Sequence, residues 1–312
     1  MKTPLIVITG PTGVGKTEIS LRLAERIGGE IVSCDSMQIY RLMDIGSAKA
    51  TKEERERVPH HLIDILDPEE PFTVSDFKRL AEKAIADIAA RGRIPILVGG
   101  TGLYIDSVIL DMTFTEGGND PEYRIQLSRL AGPMGNESVH ALLREVDSVS
   151  AERIHPNNLK RVIRALEVYH KTGRPFSTFR DEESFNPSYD VRYYFLNRNR
   201  EKLYEDIDRR VIRMVDAGLV EEVRMLKDRG LTRAHQSMQG IGYKEILSYL
   251  EGEITLEEAV EMIQRFSRNY AKRQLTWFRR KPFAIELSKD GLTDEQILNI
   301  VQSHGNPPAD DI

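Results

Sequence analysis

The stretch Gly10-Pro11-Thr12-Gly13-Val14-Gly15-Lys16-Thr17 matches G-x-x-x-x-G-K-[ST] and lies between a β-rich run, Leu5 to Thr9, and a helical pattern. No other feature restricts the fold as much, because a strand must deliver the loop and a helix must leave it. Glycines let the backbone curl until successive N–H groups point at one phosphate cluster, and the helix N-terminus adds partial positive charge. Lys16 is placed to neutralise outer phosphate oxygens, and the Thr17 hydroxyl to join a Mg²⁺ shell. The loop specifies phosphate and leaves the compound open, ATP and other nucleotides included.

Beyond Lys16 the apolar residues Ile19, Leu23 and Ile27 recur every four until Gly28-Gly29, an amphipathic helix and its stop. Ile31 to Ser33 reads as a second strand, Leu62 to Ile65 as a third and Ile94 to Val98 as a fourth. Between the last two, Thr73 or Ser75 caps a helix carrying Phe77, Leu80, Ala84, Ile85 and Ile88 and stopping near Gly92. Short apolar strands separated by helices predict a parallel sheet with helices on both faces.

From about Glu116 to Tyr189 the strand signal disappears. Asn157 is placed to cap a helix bearing Leu159, Val162, Ile163, Leu166 and Tyr169, closed by Gly173 and Pro175. Val191 to Leu196 returns the chain to the sheet. An amphipathic helix through Leu203, Ile207, Val211, Met214 and Val215 follows, then a long helix from a Thr255/Glu258 capping box through Trp277. Phe283 to Leu287 reads as the last strand, and the polar end, Ser303 to Ile312, is expected to fray. The expected fold class is α/β: a P-loop NTPase-like parallel sheet flanked by helices, formed by 1–116 and 190–312, with a helical insertion domain at 117–189.

No apolar run approaches the roughly 18–20 residues of a membrane span, and the N-terminus enters Leu5-Ile6-Val7-Ile8 without a charged leader. The single cysteine, Cys34, forms no internal disulfide and cannot build a zinc site alone, which fits a reducing cytosol. A cytoplasmic monomer with no membrane partner is therefore expected. The formal net charge of −5 means that a polyanionic partner requires basic residues gathered locally.

They are gathered in two places. Between Met262 and Ile285 no acidic residue occurs, while Arg265, Arg268, Lys272, Arg273, Arg279, Arg280 and Lys281 do. Arg265, Arg268, Lys272 and Arg279 share one helical face, and Ile263, Phe266, Tyr270 and Trp277 lie near the other, where they read as core. Such a helix either presents charge to phosphates or is an ordinary solvated surface. Arg153, Lys160, Arg161 and Arg164 form the second cluster.

Asp35 follows the second strand, in Ser33-Cys34-Asp35-Ser36-Met37-Gln38, and the carboxyl ends of parallel strands face the ligand crevice. A carboxylate there serves as a base or as a turn cap. Cys34 reads as a small packed residue, and His60-His61 as packing or pocket residues. Strand Ile94 to Val98 ends in glycines without the Walker-B aspartate of ATP-hydrolysing P-loop proteins, and Asp64 is a weak substitute.

With these residues assembled, the chain resembles the tRNA dimethylallyltransferase family, also called tRNA isopentenyltransferases, of bacterial type. The likeness rests on Gly10-Pro11-Thr12 leading into Gly15-Lys16-Thr17, Asp35-Ser36-Met37-Gln38-Ile39-Tyr40, and Pro59-His60-His61-Leu62-Ile63-Asp64. It continues through Leu97-Val98-Gly99-Gly100-Thr101-Gly102-Leu103-Tyr104, Arg153-Ile154-His155-Pro156-Asn157, Gly240-Ile241-Gly242-Tyr243 and Lys272-Arg273-Gln274-Leu275-Thr276-Trp277. The family often carries Ala-Ser where this chain has Gly13-Val14.

The resemblance implies transfer of a dimethylallyl group from dimethylallyl diphosphate to the exocyclic N6 amine of the adenosine 3′-adjacent to the anticodon, with release of diphosphate. Gly10 to Thr17 would hold the diphosphate, with Mg²⁺ at Thr17. Asp35 would be the general base, and Lys16 and Thr101 the further catalytic residues. Asp35, Ser36, Met37, Gln38, Thr101, Arg124, Lys160, Arg161, Val162, Ile163 and Arg164 would contact the tRNA anticodon stem-loop. Two rivals from other classes remain: a small-molecule kinase, which needs no basic helix, and a nucleotide-regulated RNA-binding protein, which leaves Asp35 idle.

Overall fold

The computed structural model describes residues 2–110, 112, 120–179 and 184–303. The expected domain boundary at 116/117 and the tail beyond Ser303 lie outside those residues. Six strands, β1 (Thr3–Thr9), β2 (Gly29–Ser33), β3 (His60–His61), β4 (Ile94–Gly99), β5 (Tyr189–Asn197) and β6 (Ile285–Ser288), form one sheet in the order β3-β2-β4-β1-β5-β6. Every pairing is parallel. The described helices are α1 (Lys16–Ile27), α2 (Lys52–Arg57), α3 (Val74–Ala90), α4 (Gly102–Ile109), α5 (Pro121–Val146) and α6 (Ser148–Arg153). After them come α7 (Leu159–Thr172), α8 (Arg200–Asp216), α9 (Leu219–Asp228), α10 (Tyr243–Leu250), α11 (Leu256–Arg279) and α12 (Asp294–Ser303).

The chain divides into two compact units, Met1–Ile109 with Asn186–Ile312, and Leu110–Phe185. In the first, β1 is central, and Leu5, Ile6, Val7 and Ile8 are all buried, as a strand covered on both faces requires. Ile19, Leu21 and Leu23 of α1 pack with Ile96, Leu196, Leu203 and Ile207 into its main core. The connection after β1 runs to β2 on one side of it, whereas the connection after β4 crosses to β5 on the other. β1 and β4 are neighbours, so their carboxyl ends open a crevice at a topological switch point.

The third strand is displaced from its expected place. Leu62 and Asp64 adopt positive φ, +63° and +55°, so the run Leu62 to Ile65 cannot extend, and pairing is confined to His60 and His61. Thr73 rather than Ser75 caps α3, and the helix ends at Ala90. The last strand starts two residues later than expected, at Ile285. In the second unit α5, α6 and α7 bury Leu127, Val139, Leu143, Ala151, Val162 and Leu166 together. There the cap position belongs to Asn158, not Asn157, and its side chain makes no capping bond, while Gly173 closes α7 in the left-handed conformation.

Candidate active site

The loop after β1 has the curvature the motif demands. Gly10, Gly13 and Gly15 have φ of +147°, +82° and +84°, and a Cβ at Gly10 would lie 2.5 Å from the Leu196 carbonyl oxygen. At Gly13 a Cβ would meet Ile207 Cγ1 at 2.9 Å. Pro11 and Val14 are buried as packing residues, whereas Thr17 is exposed at the first turn of α1. Lys16 folds back over the loop, its Nζ donating to the carbonyls of Gly10 at 3.0 Å and Pro11 at 2.9 Å. Burial, then the nearby Arg210, push the Lys16 ammonium down to about 8, while Asp35 opposes them.

Arg210 did not emerge from the sequence. It arrives from α8 and donates to Thr12 Oγ1 at 3.2 Å; burial lowers its pKa and the Asp35 charge opposes the fall. The signal was available, because Arg210 sits beside the apolar stripe Leu203, Ile207 and Val211, where a cation needs a reason.

Asp35 occupies the carboxyl end of β2, facing these cations. Its Oδ1 also accepts from the Met37 N–H at 2.8 Å and the Gln38 N–H at 3.4 Å, so the carboxylate shapes its own turn. Gln38 Nε2 donates to the carbonyls of Ser47 and Ala48, and its Oε1 accepts from Ser33. Cys34 is buried, with its thiol pushed far up by burial and the adjacent Asp35, so it is inert packing. A Cβ at Gly99 would lie 2.2 Å from the Cys34 carbonyl oxygen, which explains the glycines ending β4. The Thr101 N–H donates to that same carbonyl, and its enclosed side chain meets the Tyr270 phenol.

These loops enclose a cleft of about 830 Å³. Thr12, Gly13, Gly15, Lys16 and Thr17 line one side, and Asp35, Ser36, Met37 and Gln38 another. Ile207, Val211, Met214, Ile241 and Ile263 add apolar wall. Gly99 and Gly100 reach the lining, but Thr101 does not. One wall, Gly46 to Ala48, hangs from Glu222, whose carboxylate accepts the amides of Asp44, Ile45 and Gly46 and the Tyr243 hydroxyl.

α11 departs from its sequence reading. Tyr270 lines the cleft, where burial and then the Asp35 charge push its phenol up to about 12, and Trp277 is 40% exposed. Neither is core; the buried stripe is Ile263, Ala271, Gln274 and Phe278. Of the expected basic stripe, Arg268 pairs with Asp208, and Lys281, from the same basic run, is buried against Asp106. Asp64 does not replace the missing Walker-B aspartate, because Lys49 and Arg55 hold both its oxygens. His61 Nε2 pairs with Glu30, and His60 reaches the cleft with its Nδ1 on the Val58 carbonyl. Among the described residues no three His, Cys, Asp or Glu side chains come together to hold a metal, and no helix is long and apolar enough to cross a membrane.

The second unit carries the other candidate residues. Lys160 and Arg161 are exposed on α7, as is Arg153 on α6. Val162 and Ile163 point into the core, at 0% and 6% exposure, so their side chains are not at the surface. Arg124 and Arg164 both bond Glu167, which is fully buried. Burial alone would raise that carboxyl; the bonds from Arg124, the Asp120 N–H and Arg164 hold it down at about 2.

A parallel sheet, a phosphate loop and a carboxylate facing it across a cleft define a P-loop enzyme acting on a phosphorylated substrate. A family model described as IPP transferase matches residues 38–281, and one described as isopentenyl transferase matches residues 3–64. The solved tRNA isopentenylpyrophosphate transferase of Bacillus halodurans is 47% identical, with a TM-score of 0.73 over 97% of this chain and 96% of that one. That of Staphylococcus epidermidis is 43% identical, with a TM-score of 0.71 over 97% and 99%. A eukaryotic dimethylallyltransferase acting on tRNA is 28% identical, with a TM-score of 0.82 over 99% of this chain and 82% of that one. The chain belongs to the IPP transferase family, the tRNA isopentenyl- or dimethylallyltransferases.

Proposed function

We propose that this enzyme transfers the dimethylallyl group of dimethylallyl diphosphate to the N6 amine of the adenosine 3′-adjacent to the anticodon. The observation that carries the reading is the pairing, in one cleft, of two partly buried cations and a glycine loop with the Asp35 carboxylate and an apolar wall; the other lining carboxylate, Asp206, is held by Arg198 and Arg209. Lys16, Arg210 and the loop amides match a diphosphate. Ile207, Val211 and Met214 match a short hydrocarbon.

The acceptor amine is a poor nucleophile, since its lone pair is delocalised into the ring. Asp35 takes its proton as the bond from nitrogen to the first prenyl carbon forms and the carbon–oxygen bond to diphosphate breaks. Lys16, Arg210 and the loop amides stabilise the charge gathering on the leaving group. Thr101, whose enclosed side chain meets the cleft-lining Tyr270, holds the acceptor nucleotide after the base leaves the anticodon-loop stack. Ser36, Met37 and Gln38 line its path. Exposed Lys160 and Arg161, with Arg124 and Arg164, meet the phosphates of the anticodon stem.

A single exposed threonine hydroxyl beside substrate oxygens and water suits Mg²⁺, which takes few protein ligands. Thr17 would hold the ion, and its charge would further stabilise the departing diphosphate.

The test is to incubate the protein with Mg²⁺, dimethylallyl diphosphate and an anticodon stem-loop, then weigh the RNA. A gain of one five-carbon unit is expected. No gain, with phosphate transfer from ATP to a small molecule instead, refutes the reading in favour of a kinase; RNA binding without chemistry refutes it in favour of a regulated binding protein.

A further inference from the structure

At the switch point, where the connections after β1 and β4 part to opposite sides of the sheet, one side chain spans both. Gln274 Oε1 accepts from the Thr12 N–H at 2.8 Å, and Gln274 Nε2 donates to the Gly100 carbonyl at 2.9 Å. The fit is close: a Cβ at Gly100 would lie 2.1 Å from Nε2. Gln274 is 5% exposed and falls on the buried stripe of α11 between Ala271 and Phe278. A leucine there would bury more apolar surface, yet the glutamine has both ends satisfied by backbone. From Gly100 the chain passes to Thr101, whose N–H bonds the carbonyl of Cys34, the residue before Asp35. Thr12 is also held by Arg210. Hydrogen bonds thus run from the phosphate loop to the turn that carries the base.

We infer that Gln274 is a positioning residue that sets the spacing between the bound diphosphate and the acceptor nucleotide. The inference rests on the proposed function of the site. Gln274 reaches the cleft lining, but its amide is engaged by two backbone groups and by the Tyr270 phenol, so its role is to hold rather than to react. Its value is that an amide supplies one donor and one acceptor at the reach required. An ionised glutamate supplies acceptors only, and it would face the Gly100 carbonyl with like partial charge. Reaction across two separately held partners is sensitive to spacing, and a displacement of ~1 Å costs on the order of a hundredfold in rate.

The test compares wild type, Gln274→Met and Gln274→Glu with dimethylallyl diphosphate, Mg²⁺ and a stem-loop from about pH 8 down to about pH 5.5, with thermal unfolding in parallel. Gln274→Met, which fills the space without either bond, is expected to lower kcat about 30- to 100-fold while leaving each KM within about threefold. Gln274→Glu should be similarly slow at the high end. Its rate relative to wild type should rise at least about fivefold on acidification, as the protonated carboxyl again donates to Gly100. The inference is overturned if Gln274→Met keeps kcat within about twofold, if its loss matches its unfolded fraction, or if the Gln274→Glu ratio is flat with pH. A wild type that transfers no isoprenoid unit removes the proposed function and this inference with it. An active wild type with indifferent variants removes the inference alone.

Discussion

Asp35 is asked to shape a turn and to accept a proton, and substitution can separate the two. Asparagine keeps an Oδ1 for the Met37 and Gln38 amides but cannot act as a base at neutral pH. Asp35→Asn should therefore retain the wild-type unfolding midpoint and lose about 10²- to 10⁴-fold in the single-turnover rate. Asp35→Ala should lose the rate and some stability as well; equal rates for wild type and Asp35→Asn would end its assignment as base. Lys16 makes a separate prediction. Its pKa of about 8 in the free enzyme means that it is charged below that value and neutral above it. An anionic donor binds the charged form, so KM for dimethylallyl diphosphate should be flat below about pH 8 and climb above it, and binding there should take up a proton. Calorimetry in buffers of differing ionisation enthalpy reads that uptake. The glycine loop and Asp35 were legible because adjacent residues in sequence are adjacent in the site. Arg210, Tyr270 and Gln274 were not, because α8 and α11 bring them there from far along the chain, and only the sheet order makes them neighbours.

Elements were read well where one period governed them. β1 and β4 carry unbroken apolar runs, Leu5 to Ile8 and Ile94 to Val98, β2 carries the shorter Ile31-Val32, and the Thr255/Glu258 capping box starts α11 as its sequence indicates. Reading failed where tertiary geometry overrode local pattern. β3 stops short because Leu62 and Asp64 turn left-handed, with Asp64 secured by Lys49 and Arg55. The aromatics of α11 follow helical spacing, yet Tyr270 faces a cleft and Trp277 faces solvent with its Nε1 on Asp106. Between α5 and α7, the buried Glu167 carboxylate is held by Arg124, Arg164 and the Asp120 N–H. Glu167→Gln should destabilise the helical unit by about 1–3 kcal/mol at neutral pH. The direction of the pKa shift fixes the pH window. The carboxylate contributes its full stabilisation above the usual glutamate range and loses it as pH falls toward about 2, so wild type and variant should converge in acid unfolding. A variant as stable as wild type at neutral pH would contradict this.

The molecule as a whole is acidic, with its candidate RNA contacts concentrated on α7 and its candidate chemistry in the first unit. That division predicts separable losses. Replacing 110–185 by a short Gly-Ser turn should leave a folded sheet that still binds dimethylallyl diphosphate, while affinity for the stem-loop falls at least about tenfold. Failure of the shortened protein to bind the donor, when folded, would show that the loop depends on the insertion. The reason for expecting success is local to the first unit. The two ends flanking the insertion are already joined, the Asn186 N–H donating to the Ile109 carbonyl at 2.9 Å. A segment that departs and returns through one hydrogen bond behaves as a cassette. With the stem-loop contacts placed there as proposed, the segment could be lengthened, swapped or recharged without renegotiating a single strand pairing of the sheet, and recognition could change while bond breaking stayed the same.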